Sequence, residues 1–309
     1  MSHLAAILSF EGTELQDKER SLFKEADPCG FILFKRNISD QQQLEALTKS
    51  LFETVGRKCP ILIDQEGGRV QRMGPPEWPA YSAASLYKSD LKGLSQDSSS
   101  LAKDLAEMGI NLNCAPVLDM EFPQTDESVK DRTYSSQVDE VIKSGVTVIQ
   151  SFLSNGITPV IKHLPGQGRA DMDAHNALPR ITAEREQLAS LDYIPFSVIS
   201  QHFQGQIWGM VGHCLYENLD KEFPASLSEI IIRDIIRDVI NFDGFLVSDD
   251  ISMGALEGYG DIHQISQKSL DAGCDAVLYC KGEFEAMERL VNHLPKLRNT
   301  SLTRYQKRF

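Results

Sequence analysis

The sequence predicts an α/β fold, a (β/α)8 TIM-type barrel that forms a single domain over residues 1–309. Eight short apolar runs, most of them rich in β-branched residues, alternate with amphipathic stretches of helical period. This alternation is typical of parallel strands joined by crossover helices. A chain of 309 residues also has the length of one such barrel, and neither an internal repeat nor a linker divides it.

The predicted strands and helices follow one another along the whole chain. The strands are expected at residues 4–10, 30–34, 60–64, 110–115, 157–162, 206–211, 244–248 and 275–279. Helical periodicity occurs at residues 40–55, 101–108, 138–155, 183–202, 228–241 and 263–272. Ser39 and either Ser226 or Ser228 are expected to cap two of these helices, because a hydroxyl can accept a free backbone N–H. An open Rossmann sheet would need a Gly-x-Gly-x-x-Gly turn after the first strand, and the sequence has none there.

The composition predicts a soluble protein with a large core and no polyanionic partner. The chain is 41% hydrophobic and 24% charged, and its net charge of −13 repels nucleic acid and anionic membrane surfaces. No stretch has the length of a transmembrane helix, and the first apolar run is too short for a signal peptide. Six scattered cysteines without a Cys-x-x-Cys pattern are expected to be buried thiols in a reducing compartment. We therefore expect a cytoplasmic protein.

Polar side chains directly follow most of the predicted strands. Active sites of (β/α)8 barrels gather at the C-terminal ends of the strands. A single charged strand end could simply face solvent, but five of them together favour a functional site. The longest connections, residues 65–100 and 116–137, also leave two of these ends. The side chains concerned are Asp64, Asp119, Lys162 with His163, His213, and Asp249 with Asp250.

Two regions carry groups suited to cleaving a glycosidic bond. A nucleophilic carboxylate must be ionised and aimed at an anomeric carbon, with a proton donor on the other side of the bond. Asp249 fits the first role by its position, and its neighbour Asp250 is expected to cap the following segment. In the loop after the fifth strand, Asp173 can orient His175, and a histidine can donate and accept a proton near neutral pH.

Other residues near these ends could hold a sugar. Asp64 could accept hydrogen bonds from neighbouring sugar hydroxyls. Arg132 lies in the long loop after the fourth strand, and it is that position which makes it a candidate. Gly166 and Gly168 are expected to let the loop after the fifth strand close over a substrate and exclude water.

A set of motifs, in order along the chain, resembles glycoside hydrolase family 3. The resemblance is strongest to the single-domain bacterial β-N-acetylhexosaminidases of peptidoglycan recycling. Its specific part is the Lys-His-x-Pro-Gly segment with a later Asp-x-His, whereas the Asp131–Arg132 pair alone is not specific. The matching segments are residues 30–37, 64–70, 115–119, 131–132, 162–175 and 248–253.

The resemblance implies a role for each candidate residue. Asp249 is expected to be the nucleophile that forms a covalent glycosyl-enzyme, and His175, oriented by Asp173, the general acid/base, with retention of configuration. The nonreducing-end N-acetyl sugar is expected to be held by Asp64, Arg132, Lys162 and His163. The implied substrate is a small muropeptide, N-acetylglucosamine linked to 1,6-anhydro-N-acetylmuramic acid. Neither a metal nor an organic cofactor is implied, and we expect a monomer.

The chain departs from the family pattern at three positions. Gln167 stands where the family commonly has histidine, Gln65 likewise, and Ala174 stands where the Asp-x-His usually carries serine. Gln167 can donate and accept hydrogen bonds but cannot titrate, so it is a possible site residue whose effect on loop closure is open. His213 matches a histidine that the family often has, and the sequence leaves open whether it contacts substrate or packs in the core.

Alternatives remain at this stage. Within the family, a β-glucosidase or an N-acetylglucosaminide phosphorylase would share the same residues, since phosphate can replace water and pocket shape selects the sugar. A catalytically silent sugar-binding barrel would bind without turnover. A metal-dependent barrel hydrolase commonly has a His-x-His after its first strand, and Ser9-Phe10-Glu11 does not supply one.

Overall fold

The computed structural model describes residues 2–309 and shows eight parallel strands closed into a barrel. Strands β6 and β8 pair with each other outside the barrel, and β1 pairs with both β2 and β10 to close the ring. The predicted (β/α)8 barrel is confirmed, and every predicted strand overlaps an observed one. In chain order the strands are β1 (Leu4–Leu8), β2 (Pro28–Leu33), β3 (Ile61–Ile63), β4 (Leu112–Asn113), β5 (Thr158–Leu164), β6 (Arg180–Ile181), β7 (Trp208–Val211), β8 (Leu215–Tyr216), β9 (Leu246–Asp250) and β10 (Ala276–Tyr279).

The barrel strands are buried on both faces. Every residue of β1, β2 and β5 is buried. Parallel strands that are covered by helices outside and packed side chains inside are typically continuous apolar runs, which explains the pattern in the sequence. Charged side chains enter the strands only at their C-terminal ends, as with Lys162 in β5 and Asp249 in β9.

Helices surround the barrel, and several of them differ from the prediction. Two segments, Leu188–Asp192 and Ile230–Val239, are π-helical, and Gly254–Leu256 forms a 3₁₀ turn after β9. The helices are α1 (Asp17–Ala26), α2 (Gln41–Val55), α3 (Ala84–Tyr87), α4 (Leu91–Glu107), α5 (Glu127–Lys130), α6 (Val138–Ser154), α7 (Arg185–Gln187), α8 (Tyr193–His202), α9 (Ile262–Ala272), α10 (Phe284–His293) and α11 (Asn299–Gln306).

Three sequence-based expectations about helices need correction. Helix α4 begins at Leu91, well before the predicted start at residue 101, because its serine-rich first half has low helix propensity but packs through Leu94. Five helices, α1, α3, α5, α10 and α11, were not predicted. The cap of α2 is Asp40, which accepts the N–H of Gln43 at 2.8 Å, and not Ser39. The predicted cap at Ser228 is confirmed, since its hydroxyl accepts the N–H of Ile231 at 3.1 Å.

The cysteines agree with the prediction of reduced thiols. None of the six forms a disulfide in residues 2–309, and all except the half-buried Cys280 are buried. None of the helices between residues 2 and 309 combines the length and the apolar character needed to cross a membrane.

Candidate active site

A cleft of about 310 Å³ opens at the C-terminal ends of the barrel strands. Side chains from the ends of β3, β5 and β9 and from the loops after β4 and β5 line it. The cleft brings together eight of the residues predicted from the sequence, which are Asp64, Arg132, Lys162, His163, Gln167, Asp173, His175 and Asp249. Of the polar side chains predicted at strand ends, Asp119 and His213 do not line it.

Four charged side chains form what we call the charged floor of the cleft: Asp64, Glu66, Arg132 and Lys162. The Lys162 ammonium contacts Asp64 at 2.9 Å and Glu66 at 2.6 Å. Arg132 donates two hydrogen bonds to the Glu66 carboxylate, from Nε to Oε2 at 2.8 Å and from Nη2 to Oε1 at 2.9 Å. The exposed side-chain fractions are only 3% for Lys162 and 7% for Glu66. The four groups therefore hold one another in fixed positions.

The charged floor stays charged because opposite charges outweigh burial. Burial would raise the pKa of the Glu66 carboxyl, but Arg132 and Lys162 lower it to about 2. The pKa of Asp64 lies well below its usual range, because Lys162 and Arg72 overcome the same burial effect. Burial opposes the charge on Lys162 too, yet Asp64 and Glu66 raise its pKa above the usual value. The floor thus offers fixed donors and acceptors to a polar ligand such as a sugar.

His163 lies next to the charged floor, and its ring contacts the buried Asp119 carboxylate. Its Nδ1 lies 2.7 Å from Oδ2 of Asp119, and Asp119 is completely buried. Its Nε2 lies 3.5 Å from Nη2 of Arg132. The ring is therefore fixed by Asp119 on one side, with Nε2 beside the floor.

Asp249 and Asp250 are adjacent in sequence but have different surroundings. Asp249 lines the cleft, and its Oδ1 accepts the N–H of Asp250 at 2.8 Å. Burial would raise the pKa of Asp249, but the neighbouring His213 and His163 side chains and this N–H outweigh it, so the pKa is lowered. Asp249 is thus an ionised carboxylate near neutral pH, as a nucleophile requires.

Asp250 instead organises the turn after β9. Its carboxylate accepts the Ser252 hydroxyl at 2.7 Å and the N–H groups of Ser252 and Cys280, both at 3.1 Å. Burial raises the pKa of Asp250. Both aspartates thus line the cleft, but only the Asp250 carboxylate also caps the segment after β9, as its position in the sequence predicts.

Asp173 and His175 form a hydrogen-bonded pair on the loop after β5. Oδ1 of Asp173 accepts the backbone N–H of His175 at 2.9 Å and contacts its Nδ1 at 2.8 Å. Burial opposes the charge on Asp173, but both hydrogen bonds from His175 lower its pKa. The His175 side chain is 73% exposed. This arrangement orients the ring and leaves Nε2 available to a substrate and to solvent.

The loop that carries this pair is docked on the segment after β9. The N–H of Gly254 donates to His175 O at 3.2 Å, and the N–H of Ala255 donates to Ala174 O at 3.0 Å. A side chain at position 254 would meet the carbonyl oxygen of His175 at 2.7 Å, so only glycine allows this approach. The loop tip therefore lies against the strand end that presents Asp249.

The first part of the same loop is buried, and its glycines pack closely against neighbouring segments. The Tyr216 hydroxyl donates to Gly166 O at 2.8 Å. A Cβ at position 168 would lie 1.8 Å from the carbonyl oxygen of Met120. Residues 164–168 are all buried. Gly168 is thus required for close packing, and residues 164–168 are anchored in this structure.

Two of the doubtful positions have structural roles. His213 is fully buried, with Nδ1 2.7 Å from the Ser226 hydroxyl and Nε2 3.0 Å from the carbonyl oxygen of Asp250, and burial lowers its pKa. Of the two readings left open for His213, the structure favours packing. Gln65 holds the turn after β3, since its amide donates to Met73 O at 2.7 Å.

Three charged residues at or beside the cleft were not predicted to take part in the site, although Asp119 was among the strand-end side chains. Glu66 pairs with Arg132, Arg72 donates to Asp64 at 3.2 Å, and Asp119 supports His163. Glu66 and Arg72 follow Asp64 closely in the chain, and Asp119 follows the fourth predicted strand, residues 110–115. Their positions near predicted strand ends could have marked them as candidates, but nothing in the sequence shows that Glu66 contacts Arg132, which lies 66 positions away.

Metal ligation finds no support in this geometry. Residues 2–309 hold no group of three or more His, Cys, Asp or Glu side chains arranged to bind a metal ion. The carboxylates of the charged floor are already paired with Lys162 and with arginines. The arrangement is instead suited to hold a polar ring beside an ionised carboxylate and an oriented imidazole.

Comparison with known proteins points to one family. Residues 3–308 match the profile described as "Glycosyl hydrolase family 3 N terminal domain". The chain is 30% identical over 299 residues to a beta-hexosaminidase from Haemophilus influenzae (strain PittEE), covering 95% of this chain and 84% of the relative. It is 33% identical over 299 residues to a beta-hexosaminidase from Alkalilimnicola ehrlichii, covering 94% and 84%.

Solved structures agree with these sequence matches. The chain superimposes on NagZ from Neisseria gonorrhoeae in complex with N-trifluoroacetyl-D-glucosamine with a TM-score of 0.90 and 26% identity, covering 99% of this chain and 90% of that one. A family 3 beta-N-acetylglucosaminidase from Paenibacillus sp. gives a TM-score of 0.89 and 26% identity, covering 98% and 61%. Because the profile match spans nearly the whole chain and several relatives exceed 30% identity, this chain belongs to glycosyl hydrolase family 3.

Proposed function

We propose that this glycoside hydrolase is a retaining exo-β-N-acetylglucosaminidase that removes nonreducing-end N-acetylglucosamine from 1,6-anhydro-muropeptides during peptidoglycan recycling. One observation carries the proposal: Asp249, the Asp173–His175 pair and the charged floor line a single cleft. The beta-hexosaminidases and the NagZ structure to which the chain is similar support the choice of an N-acetyl sugar.

The first chemical step transfers the sugar to the enzyme. The Asp249 carboxylate attacks the anomeric carbon and forms a C–O bond while the glycosidic C–O bond breaks. His175 gives the proton on Nε2 to the leaving oxygen, and the negative charge of Asp173 at Nδ1 stabilises the ring while it is positively charged. The ionised state of Asp249 and the hydrogen bond at 2.8 Å between His175 and Asp173 support these roles.

The second step releases the sugar to water. A water molecule attacks the anomeric carbon, His175 takes its proton, and the bond to Asp249 breaks to regenerate the carboxylate. Two displacements at the same carbon give net retention of configuration. The exposure of His175 supports this step, because water can reach the ring.

Recognition of the sugar is assigned to the charged floor and His163. Asp64 offers a carboxylate acceptor, while Lys162 and Arg132 offer charged donors, and such hydrogen bonds are stronger than neutral ones. A cleft of about 310 Å³ lies at the small end of ligand pockets, which suits one sugar ring with the rest of the substrate outside. That fit supports release of a single terminal sugar.

We further propose a cytoplasmic monomer. The six unpaired cysteines support a reducing compartment. The net charge of −13 argues against nucleic acid or an anionic membrane surface as a partner.

The experiment that tests the proposed function compares chromogenic substrates. Purified protein is incubated with a β-N-acetylglucosaminide and, separately, with the corresponding β-glucoside, each with and without phosphate. Hydrolysis selective for the N-acetyl sugar and independent of phosphate supports the proposal. Preference for the glucoside indicates a β-glucosidase, and phosphate-dependent turnover indicates a phosphorylase. If the protein binds N-acetylglucosamine but cleaves neither substrate, it is a sugar-binding barrel and not an enzyme.

A further inference from the structure

We infer that Asp119 is a positioning residue that fixes the proton of His163 on Nδ1, so that Nε2 faces the sugar subsite as a hydrogen-bond acceptor. The inference rests on the proposed function for the meaning of the subsite, but its geometric part concerns the resting protein alone. Asp119 follows β4 and is completely buried, whereas His163 ends β5 and lines the cleft.

The contacts of Asp119 indicate that it acts as an acceptor. Oδ1 accepts the backbone N–H of His163 at 3.3 Å and that of Gln167 at 2.8 Å. Oδ2 lies 2.7 Å from Nδ1 of His163. A carboxylate surrounded by N–H groups can only accept, so the ring nitrogen at Nδ1 carries the hydrogen.

The other ring nitrogen faces a group that can only donate. Nη2 of Arg132 lies 3.5 Å from Nε2 of His163, and a guanidinium has no acceptor atom. A hydrogen on Nε2 would place two donors opposite each other. Nε2 therefore carries a lone pair and accepts a hydrogen bond from Arg132 in this structure, and it would accept one from a sugar hydroxyl or amide N–H of a bound substrate.

The same carboxylate also fixes the start of the loop that carries the Asp173–His175 pair. Its bond to the N–H of Gln167 holds the chain just after β5, and the next residue in the chain, Met120, packs against Gly168. One buried side chain thus sets both the hydrogen-bonding face of the sugar subsite and the origin of the catalytic loop. Loss of this carboxylate is expected to raise KM and to lower kcat together.

The test reads the tautomer of His163 directly, by ¹⁵N NMR of histidine-labelled protein without substrate. The resonances of His163 are assigned by their absence in His163→Gln. We expect the wild-type ring to show a protonated Nδ1 and an unprotonated Nε2. Asp119 accepts three hydrogen bonds, and in Asp119→Asn one oxygen is replaced by an NH₂ group that can only donate. Of the three groups that face Asp119, only Nδ1 of His163 can become an acceptor, so we expect His163 to move toward the Nε2–H tautomer. Because hydrogen bonds to a charged group contribute more than neutral ones, we also expect kcat/KM to fall by about 10- to 100-fold.

Asp192→Asn is the matched control. Asp192 is a second buried carboxylate that holds this loop, through two contacts to Arg169 Nε at 2.9 and 3.1 Å, and it does not contact His163. This variant should leave the His163 tautomer as in the wild type. A wild-type spectrum with a protonated Nε2, or an Asp119→Asn protein that loses activity with the tautomer unchanged, would overturn the inference.

The design separates this inference from the proposed function. If Asp119→Asn does not fold, the wild-type spectrum still decides the tautomer. If His163 carries its proton on Nδ1 but the protein does not cleave β-N-acetylglucosaminides, the inference about Asp119 stands and the proposed function is wrong. If the protein cleaves them but His163 carries its proton on Nε2, the proposed function stands and the inference about Asp119 is wrong.

Discussion

The charged floor and the Asp173–His175 pair lie on one cleft but are held in opposite ways. Lys162 is 3% exposed and forms ion pairs with Asp64 and Glu66, and Glu66 is 7% exposed and also pairs with Arg132, whereas His175 is 73% exposed and its side chain contacts Asp173. Asp64 and Lys162 lie at strand ends of the barrel and the other two floor residues in loops, while the Asp173–His175 pair lies on a loop that is tied by backbone hydrogen bonds to the segment after β9.

This difference follows from what each region has to do. Groups that bind a sugar gain from fixed positions and low exposure, because charge-assisted hydrogen bonds are stronger when water is excluded. A general acid/base must exchange its proton with water in every cycle, so exposure is useful there. Under the proposed function, the charged floor supplies precise binding, the loop after β5 supplies proton transfer and Asp249 supplies the nucleophile.

Asp249→Asn should have the largest effect, because in the proposed mechanism the Asp249 carboxylate forms the covalent bond to the sugar. We expect kcat for a chromogenic β-N-acetylglucosaminide to fall by about 10⁴-fold, a typical loss for an essential catalytic carboxylate. Asp250→Asn is the matched control, since it changes the adjacent carboxylate that serves the turn after β9. It should mainly reduce stability, measured by urea unfolding. Equal losses of kcat in the two variants would contradict the assignment.

His175→Ala should have the next largest effect. Loss of a general acid typically lowers the rate by about 10²- to 10⁴-fold, and the loss should be greatest for leaving groups that need a proton. Steady-state rates with a good and a poor leaving group measure this difference.

The chain offers a close control for that variant. Asp261 and His263 form a second Asp-x-His pair, with Nδ1 of His263 2.7 Å from Oδ1 of Asp261, but they lie outside the cleft. His263→Ala should leave both rates nearly unchanged. A similar loss in both variants would show that the motif contributes through folding and not through chemistry.

Glu66→Gln tests the buried region. Removing one partner of a buried ion pair lowers the free energy of unfolding by about 3–5 kcal/mol. We expect the lower end of that range for Glu66→Gln, because Lys162 would still be paired with Asp64. The pKa of Glu66 is lowered from 4.5 to about 2 in the folded protein, so its stabilising contribution is complete above pH 4.5 and is lost as the pH falls toward 2. Urea unfolding of wild type and variant should therefore differ most at neutral pH and converge in acid.

An exposed ion pair provides the contrast for Glu66. Glu127 contacts Lys130 at 3.1 Å, and the two side chains are 85% and 44% exposed. Glu127→Gln should leave the free energy of unfolding nearly unchanged, because solvent screens such pairs. If Glu66→Gln and Glu127→Gln lowered the free energy of unfolding by the same amount, the charged floor would not be the rigid region described above.

Gln167→His should have the smallest effect. The loop is held by the backbone N–H of Gln167, while its side chain has a weak thiol contact from Cys214 at 3.8 Å. A neutral hydrogen bond contributes about 0.5–1.5 kcal/mol, so kcat/KM should change by less than about tenfold. A larger change, or a new pH dependence of kcat/KM, would show that this side chain takes part in loop closure.

The barrel and most of the cleft could be predicted from the sequence, because both depend on local signals. Buried parallel strands are continuous apolar runs, and a polar residue at the end of such a run marks the active-site face of the barrel. That reasoning correctly brought Asp64, Lys162 and Asp249 to one cleft, although their separate chemical roles stay proposals.

The remaining parts depend on contacts between distant segments. The pairing of Glu66 with Arg132 and the support of His163 by Asp119 join different loops, so spacing alone could not reveal them. The packing of Gly168 against Met120 likewise comes from tertiary structure, and the sequence suggested flexibility instead. The two Asp-x-His pairs also show this limit of local signals. Each has a contact between histidine Nδ1 and aspartate Oδ1, but only the Asp173–His175 pair lines the cleft.

Trapping the glycosyl-enzyme tests the central claim most directly. A fluorinated N-acetylglucosaminyl fluoride, whose transfer to water is slow, is incubated with the protein, and the adduct is located by peptide mass spectrometry. The account predicts one sugar per chain on the peptide that contains Asp249, and no adduct in Asp249→Asn. An adduct on another carboxylate, or turnover with inversion of configuration, would contradict it.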